Sequence, residues 1–127
     1  MRAMLVSGNK VFSPELSSSL EEGGFQIFGF ESGTAALLMI ADNFFELVIV
    51  DDKLSDMSGI EFVRKMITKS PMVNCALASP LSTGKFHEAT EGLGILMQLP
   101  LQPGRADAEK LLGHLRRIMN LMNGSAG

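Results

Sequence analysis

Apolar residues fall into five short bursts, at positions 3–6, 25–30, 47–50, 72–78 and 95–99, with looser amphipathic stretches between them. Each burst is nearly continuous rather than alternating, which is how strands covered on both faces by helices read. The pattern therefore predicts a parallel sheet with helical connections.

The connections carry helix punctuation. Ser13-Pro14 supplies an N-cap and a proline at the first helical position, and Gly23-Gly24 stops that helix. Ser32 can cap a second helix, on which Ala35, Leu38, Met39 and Ala41 or Asp42 lead to Asn43. A third begins near Gly59, with Phe62, Val63, Met66 and Ile67 at helical spacing, and Ser70-Pro71 ends it because a residue before proline avoids the α region. The stretch 82–91 is a weaker helix, since Thr83, Gly84 and Thr90 are poor helix formers. After Pro103-Gly104 a stripe of Leu111, Leu112, Leu115, Ile118, Met119 and Met122 marks the last helix, with Arg116 and Arg117 near the negative end of its dipole.

Strict alternation of strand and helix predicts an α/β, flavodoxin-like (βα)5 doubly wound parallel sheet with strand order 2-1-3-4-5. Residues 1–122 form one domain in this reading, and 123–127 a disordered tail. Chemistry in such sheets gathers at the carboxyl ends of the strands, so Ser7 to Asn9, Asp51 to Lys53, Ala78 to Pro80 and Leu99-Pro100 are the places to search.

Composition narrows the function classes. The 127 residues are 46% hydrophobic, enough for a proper core, and eleven Lys and Arg against fourteen Asp and Glu leave a net charge of −3. That balance provides no electrostatic footprint for nucleic acid or an anionic membrane. No apolar run approaches a membrane span, and one cysteine, Cys75, allows neither an intramolecular disulfide nor a multi-cysteine metal site. A cytoplasmic protein is expected.

The segment from Leu47 to Phe62 carries the most specific motif: the apolar run Leu47-Val48-Ile49-Val50, then Asp51-Asp52-Lys53-Leu54-Ser55-Asp56-Met57-Ser58-Gly59. It resembles the third strand and following loop of response-regulator receiver domains, whose pattern is a strand ending in Asp, then x-x-(Leu or Met)-Pro-x-Met-Asp-Gly. Counting back from Gly59 puts Asp51, not Asp52, at the phosphoacceptor position. Leu54, Met57 and Gly59 match; Ser55 and Ser58 depart from Pro and Asp. The resemblance runs through nearly the whole chain and includes Gly92 before the fifth strand and Pro100 after it.

It implies a phosphorelay signalling domain, with Asp51 accepting phosphate from a histidine kinase. An aspartyl phosphate needs a nucleophilic carboxylate, a divalent cation and donors for the phosphoryl oxygens. The family's acidic pair after strand one is replaced by Ser7-Gly8-Asn9, whose hydroxyl and amide cannot substitute for two negative charges. Asp51 then forms at most a weak Mg²⁺ site, to which Asn9 contributes through a water. The family's lysine before the strand-five proline is Leu99 here, and the strand-four hydroxyl has Ser79 as its candidate, although ungapped counting from Pro100 reaches Leu77.

Competing readings of other residues are plainer. Asp52 and Asp56 read as solvated loop acids, His87 and His114 as solvent-facing, and the nine methionines as core filler. Ser82-Thr83-Gly84-Lys85 lacks the first glycine of a phosphate loop, Ser79 standing in its place. No acid–base pair or nucleophile elbow points to an enzyme. The expectation is a pseudo-receiver with no cofactor of its own, binding a histidine kinase or other signalling protein, or itself as a homodimer, through its helix 4–strand 5–helix 5 face. An active phospho-receiver modified on Asp51 is the alternative.

Overall fold

The computed structural model describes residues 1–8 and 12–122. Five strands, β1 (Arg2–Val6), β2 (Gln26–Phe30), β3 (Leu47–Val50), β4 (Asn74–Ala78) and β5 (Met97–Leu99), alternate with five helices, α1 (Pro14–Glu22), α2 (Gly33–Asp42), α3 (Gly59–Lys69), α4 (Thr83–Ala89) and α5 (Arg105–Met122). All neighbouring strands are parallel, in the order β2-β1-β3-β4-β5. Both the class and the strand order match the sequence expectation. The positions from 123 onward, expected to form a tail, lie outside the described residues.

Alternation along the strands explains why the bursts had to be continuous. Ala3, Leu5, Leu47, Ile49, Ala76, Ala78 and Leu99 join one buried cluster with Leu16 and Leu20 of α1 and Leu111, Leu112 and Leu115 of α5. The intervening Met4, Val6, Val48, Val50, Cys75 and Leu77 join a second cluster with α2, α3 and Phe86 of α4. Helices therefore cover both faces, and a polar residue at 3–6 of β1, 47–50 of β3 or 75–78 of β4 would be stranded in one cluster or the other. Cys75 lies within the second cluster, where burial pushes its thiol up to about 12 and keeps it protonated.

Local chemistry sets the helix ends. Ser13 accepts from the Leu16 amide at 3.1 Å and donates to the Pro103 carbonyl, so one buried hydroxyl caps α1 and ties it to the entry of α5. Gly24 turns the chain out of α1 at φ +95°, a conformation that a side chain would strain. Arg105 and Glu22 form a bidentate pair at 2.9 and 3.0 Å across the same two helices.

Three expectations need adjustment. Helix α4 covers only Thr83–Ala89, because Thr90 turns its amide and hydroxyl back to the Phe86 carbonyl and Gly92 and Gly94 then take positive φ. His114 is half-buried, with Nδ1 2.9 Å from Arg117 Nη2, while His87 is exposed. Of the methionines, Met4 and Met66 are wholly buried, but Met72 stands in solvent ahead of β4. No helix among the described residues is long and apolar enough to cross a membrane.

Candidate functional site

Strands β1 and β3 are neighbours at the centre of the sheet, with Val6 level with Val50. Ser7 and Asp51 therefore leave the sheet side by side. The Asp51 amide donates to the Val6 carbonyl at 2.8 Å, which sets the strand end. Ser7 Oγ donates to Asp51 Oδ2 at 2.7 Å, and the Asp52 amide donates to Oδ1 at 2.7 Å. Each carboxylate oxygen thus accepts a hydrogen bond from the protein itself, and the Ser7 end of the arrangement is buried.

The loop that follows Asp51 is held by backbone contacts that only glycine permits. A Cβ at Gly59 would lie 2.2 Å from the Asp51 carbonyl oxygen and 2.8 Å from Leu77 Cδ1, so α3 can start against β3 only without a side chain there. Gly8 donates to the Lys53 carbonyl at 3.1 Å, and a Cβ on it would meet Leu54 C at 3.0 Å and Ser55 N at 3.1 Å. The loop after β1 is therefore seated directly on the loop after β3.

Asp56 fixes the far side of that loop. Its Oδ1 accepts from the Gly33 amide at 2.7 Å, and its Oδ2 from the Thr34 amide at 3.0 Å and the Thr34 hydroxyl at 2.7 Å. Together with the Ser32 cap on Ala35, these satisfy orphan donors at the start of α2. The Thr34 hydroxyl first, then the two amides, hold the Asp56 carboxyl below the usual carboxylate range. Met57 packs over Gly33, where a Cβ would approach its sulfur to 2.6 Å.

A cleft of about 560 Å³ opens over the strand ends, lined by Gly8, Phe12, Asp51, Asp52, Lys53, Pro80 and Leu101 among others. Ser79 is not among its lining residues. The register pairs Val50 with Leu77, so Ala78 is level with Asp51 and Ser79 lies one residue further on. Ser79 is buried, and its Oγ accepts from the Leu81 amide at 3.2 Å. Gln98 reinforces this turn by donating to the Ser79 and Leu81 carbonyls at 3.3 and 2.8 Å. Leu99 is wholly buried in the cluster beneath α1 and α5. Asn9 lies outside the described residues.

Two residues take part in ways that sequence reasoning did not assign. Lys53 brings the cleft a cationic side chain, and its cue was only its adjacency to the Asp51-Asp52 pair. Asp56 is a long-range cap rather than a free loop acid, which becomes visible only once the β2–α2 and β3–α3 loops are known to touch. Among the described residues no group of three or more His, Cys, Asp or Glu gathers in a metal-binding cluster. A second concavity of about 620 Å³ lies between α4 and β5, lined by Phe86, His87, Glu88, Ile95 and Met97 among others.

No family model matches the chain, and no curated protein matches it. Solved structures do. The chemotaxis response regulator CheY4 of Vibrio cholerae superposes with a TM-score of 0.77 at 17% identity, over 90% of this chain and 97% of that one. The Francisella response regulator 1452 receiver domain gives 0.79 at 17% identity, over 92% and 98%. The isolated REC domain of RcsB from Salmonella enterica serovar Typhimurium gives 0.78 at 18% identity, over 92% and 88%. The chain thus has the receiver-domain fold.

Proposed function

We propose that a chain with this fold serves as a receiver domain in two-component signalling, and specifically as a pseudo-receiver that works by protein association rather than by an aspartyl-phosphate switch. The observation that carries this reading is the Asp51 carboxylate, held at 2.7 Å by the Ser7 hydroxyl on one oxygen and at 2.7 Å by the Asp52 amide on the other. Mg²⁺ requires oxygen ligands in near-octahedral geometry and favours carboxylate charge. Beside Asp51, Ser7 brings a neutral hydroxyl and Gly8 no side chain, with its Cβ direction filled by the next loop. These residues do not fit the ion.

The buried Leu99 argues the same way, because hydrocarbon stands where a cation would have to clamp a phosphoryl group. Without ion or clamp, phosphate has no differential contacts with which to bias two conformations. The partner in this reading is a histidine kinase or another signalling protein on the α4–β5–α5 face, and the concavity of about 620 Å³ between α4 and β5 supports that placement. The domain then acts in the cytoplasm, without enzymatic activity of its own and without direct nucleic-acid contact, in keeping with its net charge of −3.

One observation favours the active phospho-receiver: Asp51 borders an open cleft and not a sealed one. Incubation with Mg²⁺ and acetyl phosphate, followed by intact-mass measurement, decides between the two. The mass is expected to stay unchanged. A phosphoryl adduct that disappears in Asp51→Asn would establish the active receiver instead.

A further inference from the structure

At the amino end of the sheet the loops that enter β3 and β4 lie side by side, because those strands are paired from Leu47 and Asn74 onward. Each loop holds a large apolar side chain in solvent: Phe44 is 66% exposed and Met72 76%. Both line one groove of about 240 Å³, together with Pro71 and Val73. The neighbouring Phe45 is only 1% exposed, so the chain at this point turns one phenyl ring inward and presents the other.

Helix α2 leads into the Phe44 loop through Asp42 and Asn43. It carries no charged residue from position 33 to 41, and its exposed positions include Ala35, Leu38 and Ala41 at helical spacing, with Leu38 68% exposed. A surface helix ordinarily turns charged residues to water on the face opposite its core stripe. This one turns small and apolar residues outward instead.

We infer that this edge is a self-association surface, and that its occupant is a second copy of the chain related by a two-fold axis through the groove. The exposed apolar area approaches what a stable dimer needs. A large apolar side chain offers about 180 Å², so the three exposed ones present about 380 Å² and two copies about 760 Å². A standard interface buries about 1,600 Å² in total, of which about 900 Å² is apolar. Ala35, Ala41 and Pro71 supply much of the difference.

Charge is compatible with a second copy as the occupant. Asp42 closes α2 and Lys69 closes α3, both exposed, and these helix ends lead into the two loops that form the groove. A two-fold rotation sets Asp42 of each copy toward Lys69 of the other, so the surface is complementary to itself. The interface lies at the opposite end of the sheet from Asp51 and leaves both the cleft and the α4–β5–α5 face open. It does not depend on whether Asp51 takes phosphate.

Sedimentation equilibrium over a concentration series tests this directly. The weight-average mass is expected to rise from the monomer value of 13.7 kDa toward twice that. Phe44→Asp and Met72→Asp should each return the protein to monomer with an unchanged thermal transition at low concentration, since both side chains are exposed. Asp42→Lys and Lys69→Asp should each weaken association at least tenfold, and the double swap should restore it. A monomer at every concentration would overturn the proposal. So would a dimer indifferent to Phe44→Asp and Met72→Asp, or a double swap that fails to recover association.

Discussion

At the carboxyl end of the sheet the loops after β1 and β3 are tied to each other and to α2 by backbone amides, with Asp51 and Asp56 accepting from named donors. At the amino end the loops entering β3 and β4 hold Phe44 and Met72 out in water. The polar end has turned the carboxylates of Asp51 and Asp56 toward its own atoms, while the apolar end has left hydrocarbon unburied. For a domain built on the receiver fold this difference is instructive. Residues demanded by backbone geometry, Gly59 above all, are in place at the carboxyl end, where Ser7, Gly8 and Leu99 carry no charge. Under the pseudo-receiver proposal, association through surfaces is what such a distribution leaves available.

The comparison rests on the carboxyl-end loop being rigidly seated, and Gly59→Ala attacks that most severely. Its methyl group would have to fit 2.2 Å from the Asp51 carbonyl oxygen, where neither β3 nor α3 can retreat without opening the core around Leu77. A loss of about 3 kcal/mol in urea-denaturation stability is expected. A variant as stable as the parent would mean that α3 is free to slide, and the closed loop would cease to distinguish the two ends.

Ser7→Ala probes the same end more gently. It removes the donor at 2.7 Å from Asp51 Oδ2 but keeps the strand intact, and water can reach the carboxylate from the cleft. About 1 kcal/mol of stability should be lost. If the serine instead serves only to fill space, alanine will be neutral, and the claim that Asp51 is internally satisfied loses its main support.

The fold was legible because its determinants are local and repetitive. Continuous apolar bursts encode burial on both sheet faces, and Ser13-Pro14, Ser32 and Gly23-Gly24 encode helix ends within a few residues of where they act. The place of Asp51 at the end of β3 was legible from its spacing to Gly59, and position 59 lies directly against the Asp51 carbonyl. The rest depended on neighbours distant in sequence. Nothing in the β3–α3 segment says that Asp56 faces Gly33 and Thr34, or that Gly8 lies under Leu54. Ser79 illustrates the limit: spacing alone left the strand-four position open between Ser79 and Leu77, two residues apart, and the structure buries both, with the Ser79 hydroxyl accepting from the Leu81 amide of its own turn. The exposed edge escaped notice for a related reason, since Phe44 and Phe45 are identical in sequence pattern and differ only in which way the loop turns them.

Asp56 offers the subtlest test, through pH. Its carboxyl sits below the usual carboxylate range because the Thr34 hydroxyl and the Gly33 and Thr34 amides hydrogen-bond its charged form. A depressed folded-state value means that the unfolded chain takes up the proton first on acidification, so the stabilisation is fully present above the ordinary aspartate value and is lost as pH falls through the folded one. Thermal melts of the parent and Asp56→Asn should therefore differ at neutral pH, with the variant less stable, and should converge in acid. Because the group is exposed, the gap will be smaller than that of Ser7→Ala. Parallel curves across the whole range would show that the carboxylate charge contributes nothing at the start of α2, leaving the loop seated by Gly8 and Gly59 alone.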